Sequence, residues 1–282
     1  MSEKCPVCFR HCSLEKGQLG FCGVRSFDGE KIIATNYGII TSLGLDPIEK
    51  KPLAHFHPGS MILSVGSYGC NLRCPFCQNH EISWSEEAMR IRHMNLEVET
   101  PEKLSQTAAY YQDKGNIGLA FTYNEPLVGY EYVRDTAKLI HELSMVNVLV
   151  TNGCVSLEVL KEIEPYIDAM NIDLKGFTDE YYREVLGGNR EMVMNFIEEA
   201  AKHCHVELTT LIVPNENDSE EEMREMCKWI ANLESQDPIV LHISRFFPRF
   251  QMQDKHPTDV KWIYHLAEIA REELEYVYTG NC

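Results

Sequence analysis

From residue 61 onward the chain alternates short β-rich apolar runs with amphipathic stretches, and that alternation is the strongest constraint on its fold. The apolar runs are Met61–Val65, Ile117–Thr122, Asn147–Thr151, Ala169–Leu174, Val206–Val213 and Ile239–Ile243. Between them lie helical patterns. One starts at Thr100-Pro101, an N-cap followed by Pro at the first helical position, with Leu104, Ala108 and Tyr111 on one face. Others span Tyr130–Met145, Ser156–Ile167 and the stretch after Leu186-Gly187-Gly188 through Lys202. One more begins at Ser219, with Glu222 completing a capping-box pattern, and the last covers Asp259–Leu274. Strand alternating with helix implies right-handed βαβ units and a parallel sheet. Six repeats are too few for a closed eight-unit barrel. We therefore expect an α/β fold, a partial (β/α)6 TIM-like barrel, with a doubly wound open sheet as the alternative. The 282 residues suffice for such a barrel over 46–282 and a small Cys-rich metal-binding module over 1–45.

The charge balance removes several classes of partner. With 26 basic against 43 acidic side chains the formal net charge is −17. That disfavours nucleic acid and anionic membrane surfaces, both of which need basic patches. No apolar run is long enough to span a bilayer, and Met1–Cys5 lacks a signal-peptide core, so a cytoplasmic location is the expectation. In a reducing compartment the 11 cysteines are not disulfide partners. Seven of them fall in two groups, Cys5/Cys8/Cys12/Cys22 and Cys70/Cys74/Cys77, and such grouping reads as metal ligation. Cys154, Cys204, Cys227 and Cys282 are scattered and read as small hydrophobes or an idle terminal residue.

Every apolar run ends in polar or glycine-rich residues. They are Ser67-Tyr68-Gly69-Cys70, Tyr123-Asn124-Glu125-Pro126, Thr151-Asn152-Gly153, Asp173-Leu174-Lys175, Pro214–Asp218 and His242-Ile243-Ser244-Arg245. Parallel α/β folds bind ligands at the carboxyl ends of their strands, so these segments should converge on one mouth. A charged pair such as Asp173 and Lys175 at the end of a buried strand is costly unless partnered or functional.

The loop after the first run carries Cys70-Asn71-Leu72-Arg73-Cys74-Pro75-Phe76-Cys77, a C-x3-C-x2-C pattern. Thiolates at this spacing can wrap a [4Fe–4S] cluster, and three of them leave one iron open to a small molecule. A zinc site completed by His80 is the structural alternative. The pattern and its place resemble the radical S-adenosylmethionine (radical SAM) superfamily. The resemblance implies SAM as co-substrate, with Cys70, Cys74 and Cys77 as cluster ligands and Phe76 packing on the adenine. Asn124 and Glu125 then stand in the segment that binds the methionine amino group. Asp173, Lys175 and His242 stand beside the ribose and the substrate.

The run from Asn171 to Arg190, and Thr151-Asn152-Gly153, resemble pyruvate formate-lyase activating enzymes. Thr209 stands where that activase has an arginine near its peptide substrate, and Val150 where it has an aspartate. Over the whole chain, Cys5-x2-Cys8-x3-Cys12, Gly20–Arg25, Asp46–Leu53, Pro58-Gly59-Ser60 and His242-x2-Arg245-Phe246-x-Pro248 resemble the radical SAM enzymes of the AmmeMemoRadiSam system. This resemblance implies an anaerobic oxidoreductase. It would cleave SAM reductively to a 5′-deoxyadenosyl radical and take hydrogen from a protein substrate, preferentially a glycine Cα. A low-potential donor, flavodoxin or ferredoxin, would supply the electron.

Modification of another side chain or a small molecule stays open, as does a non-enzymatic iron–sulfur electron-transfer module. No Gly-x-Ser-x-Gly elbow, phosphate loop or His-Glu-x-x-His supports a hydrolase or nucleotide binder. Cys5, Cys8, Cys12 and Cys22 form a closed four-ligand set suited to zinc or to a second iron–sulfur cluster. Gly20 and Gly23 flank Cys22, and His11 is a further candidate ligand.

Overall fold

The computed structural model describes residues 2–91, 94 and 97–282. Two small antiparallel hairpins open the chain, β1 (Ser2–Lys4) with β2 (Ser13–Glu15) and β3 (Arg25–Phe27) with β4 (Ile32–Ala34). β5 (Ser42–Pro47) crosses residue 45 and enters the main sheet antiparallel to β6 (Met61–Gly66). Beyond β6 come α1 (His80–Ser83), α2 (Glu86–Ile91), α3 (Pro101–Tyr110) and β7 (Asn116–Phe121). Then α4 (Tyr130–Glu142), β8 (Val146–Thr151), α5 (Leu157–Ile163) and β9 (Ala169–Asp173) follow in turn. A π-helical turn, Tyr181–Leu186, leads into α6 (Arg190–Ala200) and β10 (His205–Ile212). The chain ends with α7 (Glu220–Ala231), β11 (Val240–Arg245), α8 (Val260–Ala270) and β12 (Tyr276–Gly280).

The sheet order is β12-β11-β10-β9-β8-β7-β6-β5, with parallel pairing from β6 to β12. β5 and β12 are its two edges, so the barrel is open. The six expected strands are its centre. The edge strands were not expected: β5 reads Ser-Leu-Gly-Leu-Asp-Pro and β12 Tyr-Val-Tyr-Thr-Gly, too short or too mixed for a periodic signal. Helix ends also differ. α5 stops at Ile163 and tightens into a 3₁₀ turn at Glu164–Tyr166, where Pro165 removes a backbone donor.

The caps are partly as expected. The Thr100 hydroxyl accepts the Lys103 N–H at 3.3 Å, and Ser219 accepts the Glu222 N–H at 3.2 Å. The capping box does not close, because the Glu222 carboxylate instead accepts the Phe177 N–H at 2.5 Å. Cys5, Val7, Leu14 and Phe27 of the N-terminal module belong to the same apolar core as the barrel strands. Among the described residues no helix is long and apolar enough to cross a membrane.

The connection from β5 to β6 folds into the bottom of the barrel. Pro52 O accepts the Asn171 side-chain amide at 2.8 Å. The N–H groups of Ala54 and His55 donate to opposite oxygens of Glu207 at 2.9 and 2.8 Å. Glu207 is fully buried on β10 and also meets His205 at 3.1 Å and His242 at 2.6 Å. Burial pushes its carboxyl up, but these four donors outweigh it and hold the group down at about 2. Burial likewise pulls His205 down, while Glu207 and Asp237 outweigh it and raise the imidazole above 6.5.

Glu207 stabilises the fold fully above 4.5 and loses that contribution as pH falls towards about 2. His205 stabilises below 6.5 and loses its contribution as pH rises through its raised folded value. Glu207→Gln should therefore cost roughly 3 kcal/mol in the window between them. Thermal melts of both proteins across pH should show the deficit shrinking on the acid side. A deficit that stays constant down to the acid limit would refute the network.

Candidate functional site

The strand ends converge on one cavity of about 890 Å³. Cys70, Cys74, Cys77, Phe76, Asn124, Glu125, Thr151, Asn152, Asp173, Lys175 and His242 all line it. Of the candidate residues, the N-terminal cysteines, His11 and His80 do not line it.

The cysteine loop is shaped by close backbone approach. Gly69 has φ +98°, and a Cβ there would lie 2.2 Å from the Val24 side chain and 3.0 Å from Cys22 O, so only glycine fits. Asn71, fully buried, is the loop's anchor. Its amide donates to Cys154 O at 2.7 Å and its oxygen accepts from the Asn152 amide at 2.9 Å. The same Asn152 nitrogen lies 3.8 Å from the Cys70 sulfur, and Leu72 N–H donates to that sulfur at 3.4 Å. Arg73 reaches back to the carbonyls of Cys70 at 2.9 Å and Leu72 at 2.7 Å.

Burial pushes the Cys74 thiol up to about 12, although Lys175 partly offsets it, and burial raises Cys70 and Cys77 as well. Burial thus favours the protonated thiols, and a bound metal would displace their protons. Among the described residues no three cysteine sulfurs lie within 4.8 Å of one another. That is too wide for one ion, and it suits a cubane, which holds its thiolates further apart. No fourth cysteine lines the cavity. The three residues thus fit a [4Fe–4S] cluster with one iron left for an outside ligand.

Glu125, 1 % exposed, accepts from Leu127 N–H at 3.0 Å, the Thr151 hydroxyl at 2.7 Å and Asn152 N–H at 2.8 Å. Burial pushes its carboxyl up to about 7 despite these donors. Asn124 holds the β6 loop, accepting Ser67 N–H at 3.0 Å and donating to the carbonyls of Tyr68 and Gly69 at 3.2 and 3.1 Å. Asn124, Thr151 and Asn152 thus have their polar atoms engaged within the protein, and they orient Glu125 and the cysteine loop. Asp173 pairs with Lys175 at 2.9 Å on the cavity wall. Phe76 packs edge-on against Phe246, with ring centroids 6.4 Å apart. His242 sits low, against Glu207.

Two contributions were not legible in the sequence, the conformation and contacts of Tyr123 and the role of Glu207. Tyr123 adopts φ +75°, unusual for a non-glycine residue. Its hydroxyl donates to Asp46 at 2.9 Å, the same carboxylate oxygen that Lys51 meets at 2.9 Å. Gly66 makes room for the ring, since a Cβ there would lie 2.8 Å from it. Glu207 was hidden in a run otherwise read as a β-strand, where its only signal was one carboxylate among apolar and Thr neighbours.

The family model of the radical SAM superfamily matches residues 64–229. An uncharacterized protein of Methanocaldococcus jannaschii is 39 % identical over 282 residues, 99 % of this chain and 81 % of that protein. Pyruvate formate-lyase 1-activating enzyme of Escherichia coli is 24 % identical over 62 % of this chain and 71 % of its own length. The indoleacetate decarboxylase activating enzyme of Tractidigestivibacter scatoligenes is 22 % identical over 84 % of this chain and 75 % of its own. Among solved structures, Streptococcus suis SuiB bound to S-adenosylmethionine superposes with a TM-score of 0.57 at 15 % identity, covering 78 % of this chain. This chain spans about half of SuiB, 52 % of its length. The family implies a [4Fe–4S] cluster and SAM, and the cavity's residues fit both. The chain is an enzyme and belongs to the radical SAM superfamily.

Proposed function

We propose that this enzyme generates a radical on a partner protein, at a glycine Cα, as a glycyl-radical activating enzyme. The observation that carries this reading is the convergence of the three cysteines, Glu125 and the Asp173–Lys175 pair on one cavity of about 890 Å³. That volume is near the upper end of small-molecule sites and leaves room beside SAM for an inserted peptide segment. The relatives named as activating enzymes support a protein substrate.

Cys70, Cys74 and Cys77 would hold the cluster, and Phe76 would pack on the adenine. Glu125 would accept the amino group of SAM, whose positive charge would offset the burial of this carboxylate. Asp173 would accept the ribose hydroxyls while Lys175 neutralises it. When bound, the cluster would supply the single electron for reductive cleavage of SAM to methionine and a hydrogen-abstracting 5′-deoxyadenosyl radical. The surrounding apolar wall, with Leu53, Leu72 and Leu211, excludes water and stray hydrogen donors. A low-potential one-electron donor such as flavodoxin or ferredoxin would supply the reductant.

The test is 5′-deoxyadenosine formation by the reconstituted, reduced protein, alone and with anaerobic extract of cells grown on Cα-deuterated glycine. We expect slow turnover alone, stimulation by extract, and deuterium in the 5′-deoxyadenosine. Stimulated product without deuterium would overturn the glycine assignment. No product from a fully loaded protein would overturn radical cleavage itself.

A further inference from the structure

We propose that Cys5, Cys8, Cys12 and Cys22 hold a second iron–sulfur cluster rather than zinc, and that it exchanges single electrons with the Cys70 loop across an Arg10–Phe21–Arg73 stack. The spacing of the sulfurs differs from that of a zinc site. A zinc tetrahedron with Zn–S bonds of about 2.3 Å holds its sulfurs about 3.8 Å apart. Among the described residues no three cysteine sulfurs come within 4.8 Å of one another, so the N-terminal sulfurs are not gathered as closely as a zinc tetrahedron gathers them. The local chemistry also matches. Arg25 N–H donates to the Cys22 sulfur at 3.4 Å, and the N–H groups of Val7 and Arg10 face the sulfurs of Cys5 and Cys8. Leu72 stands in the same relation to Cys70.

The two cysteine sets are also close neighbours. Cys70 N–H donates directly to Cys22 O at 3.3 Å, so the two sets share one backbone hydrogen bond. Phe21, next to Cys22, has the Arg10 guanidinium 3.3 Å and the Arg73 guanidinium 3.8 Å from its ring centroid. Two guanidinium groups at those distances would collide on one face, so they occupy opposite faces of the ring. Arg10 Nε donates to Asn71 O at 3.2 Å, while Arg73 donates to Cys70 O at 2.9 Å and to Phe21 O. Two fixed cations thus stand between two thiolate sets. That compensates the repulsion of two anionic metal centres held close together. A metal used only to attach the module has less to do here, since Cys5, Val7, Leu14 and Phe27 already share the barrel core.

The transfer moves one electron from an external one-electron donor to the N-terminal site and on to the catalytic loop. No bond forms or breaks and no proton moves.

The test starts from the triple variant Cys70→Ala, Cys74→Ala, Cys77→Ala, reconstituted anaerobically. We expect it to keep about four irons per chain and to show a paramagnetic cluster on reduction. One zinc and no iron would overturn the proposal. This readout involves no SAM, so it stands or falls separately from the proposed function. The relay is tested by rapid-freeze electron paramagnetic resonance of the catalytic cluster, reduced by flavodoxin. Cys8→Ala/Cys12→Ala should halve the iron and slow that reduction. Phe21→Leu, which leaves every ligand in place, should slow it with the iron count unchanged. An undiminished rate in Phe21→Leu would overturn the stack as the path.

Discussion

Cys74→Ala should abolish SAM cleavage and remove the catalytic cluster's signal, while the barrel stays folded. Cys74 is buried in the wall of the cavity, within reach of the charges of Lys175 and Asp173. The removed sulfur is one of three ligands, so the remaining two cannot hold a cubane in a fixed orientation. Loss of the thiol leaves only a small void, so circular dichroism and thermal melting should change little. Iron counting and 5′-deoxyadenosine assays on the same preparation separate the two effects. Cleavage persisting in Cys74→Ala would refute the ligand assignment.

Asp173→Asn should weaken SAM binding by about tenfold to a hundredfold, because hydrogen bonds to a charged acceptor contribute about 1.5–3 kcal/mol. The carboxylate ends β9, partly exposed to the cavity, and meets Lys175 at 2.9 Å. Burial pulls the Lys175 ammonium down, but Asp173 and the nearby Cys74 sulfur outweigh it and hold it well above its ordinary value. Asparagine keeps the shape and removes the charge, so the site loses its best hydroxyl acceptor and Lys175 loses its partner. Iron content should stay at the wild-type level. Equilibrium binding of SAM to the loaded protein measures the effect, and an unchanged affinity would remove Asp173 from the SAM site.

These two variants probe residues that were legible in different ways. The cysteines were found from spacing in a single loop. Asp173 and Lys175 were found because a strand end has no structural need for a charge pair. Asn124, Thr151 and Asn152 were found by the same logic, yet their side chains serve the protein's own framework, holding Glu125 and the loop anchored by Asn71. His242 was legible as a polar residue at a strand end. Its partner Glu207 was not, because the reason for a carboxylate there is the N–H pair of Ala54 and His55, which comes from a connection about 150 residues earlier, with separations of 153 and 152. Tyr123 in a left-handed conformation was equally hidden, since it depends on Asp46, Lys51 and the space left by Gly66.

Local pattern by itself determined the parallel α/β architecture, the cysteine loop and the mouth on which the strand ends converge. Each of these follows from periodicity or spacing within a short stretch of chain. Only the tertiary structure decided that β5 and β12 are the sheet's open edges, that the 48–58 connection fills the barrel floor, and that Phe21 lies between Arg10 and Arg73. Those features join residues far apart in sequence, and packing, burial and charge compensation place them together. No local propensity carries that information.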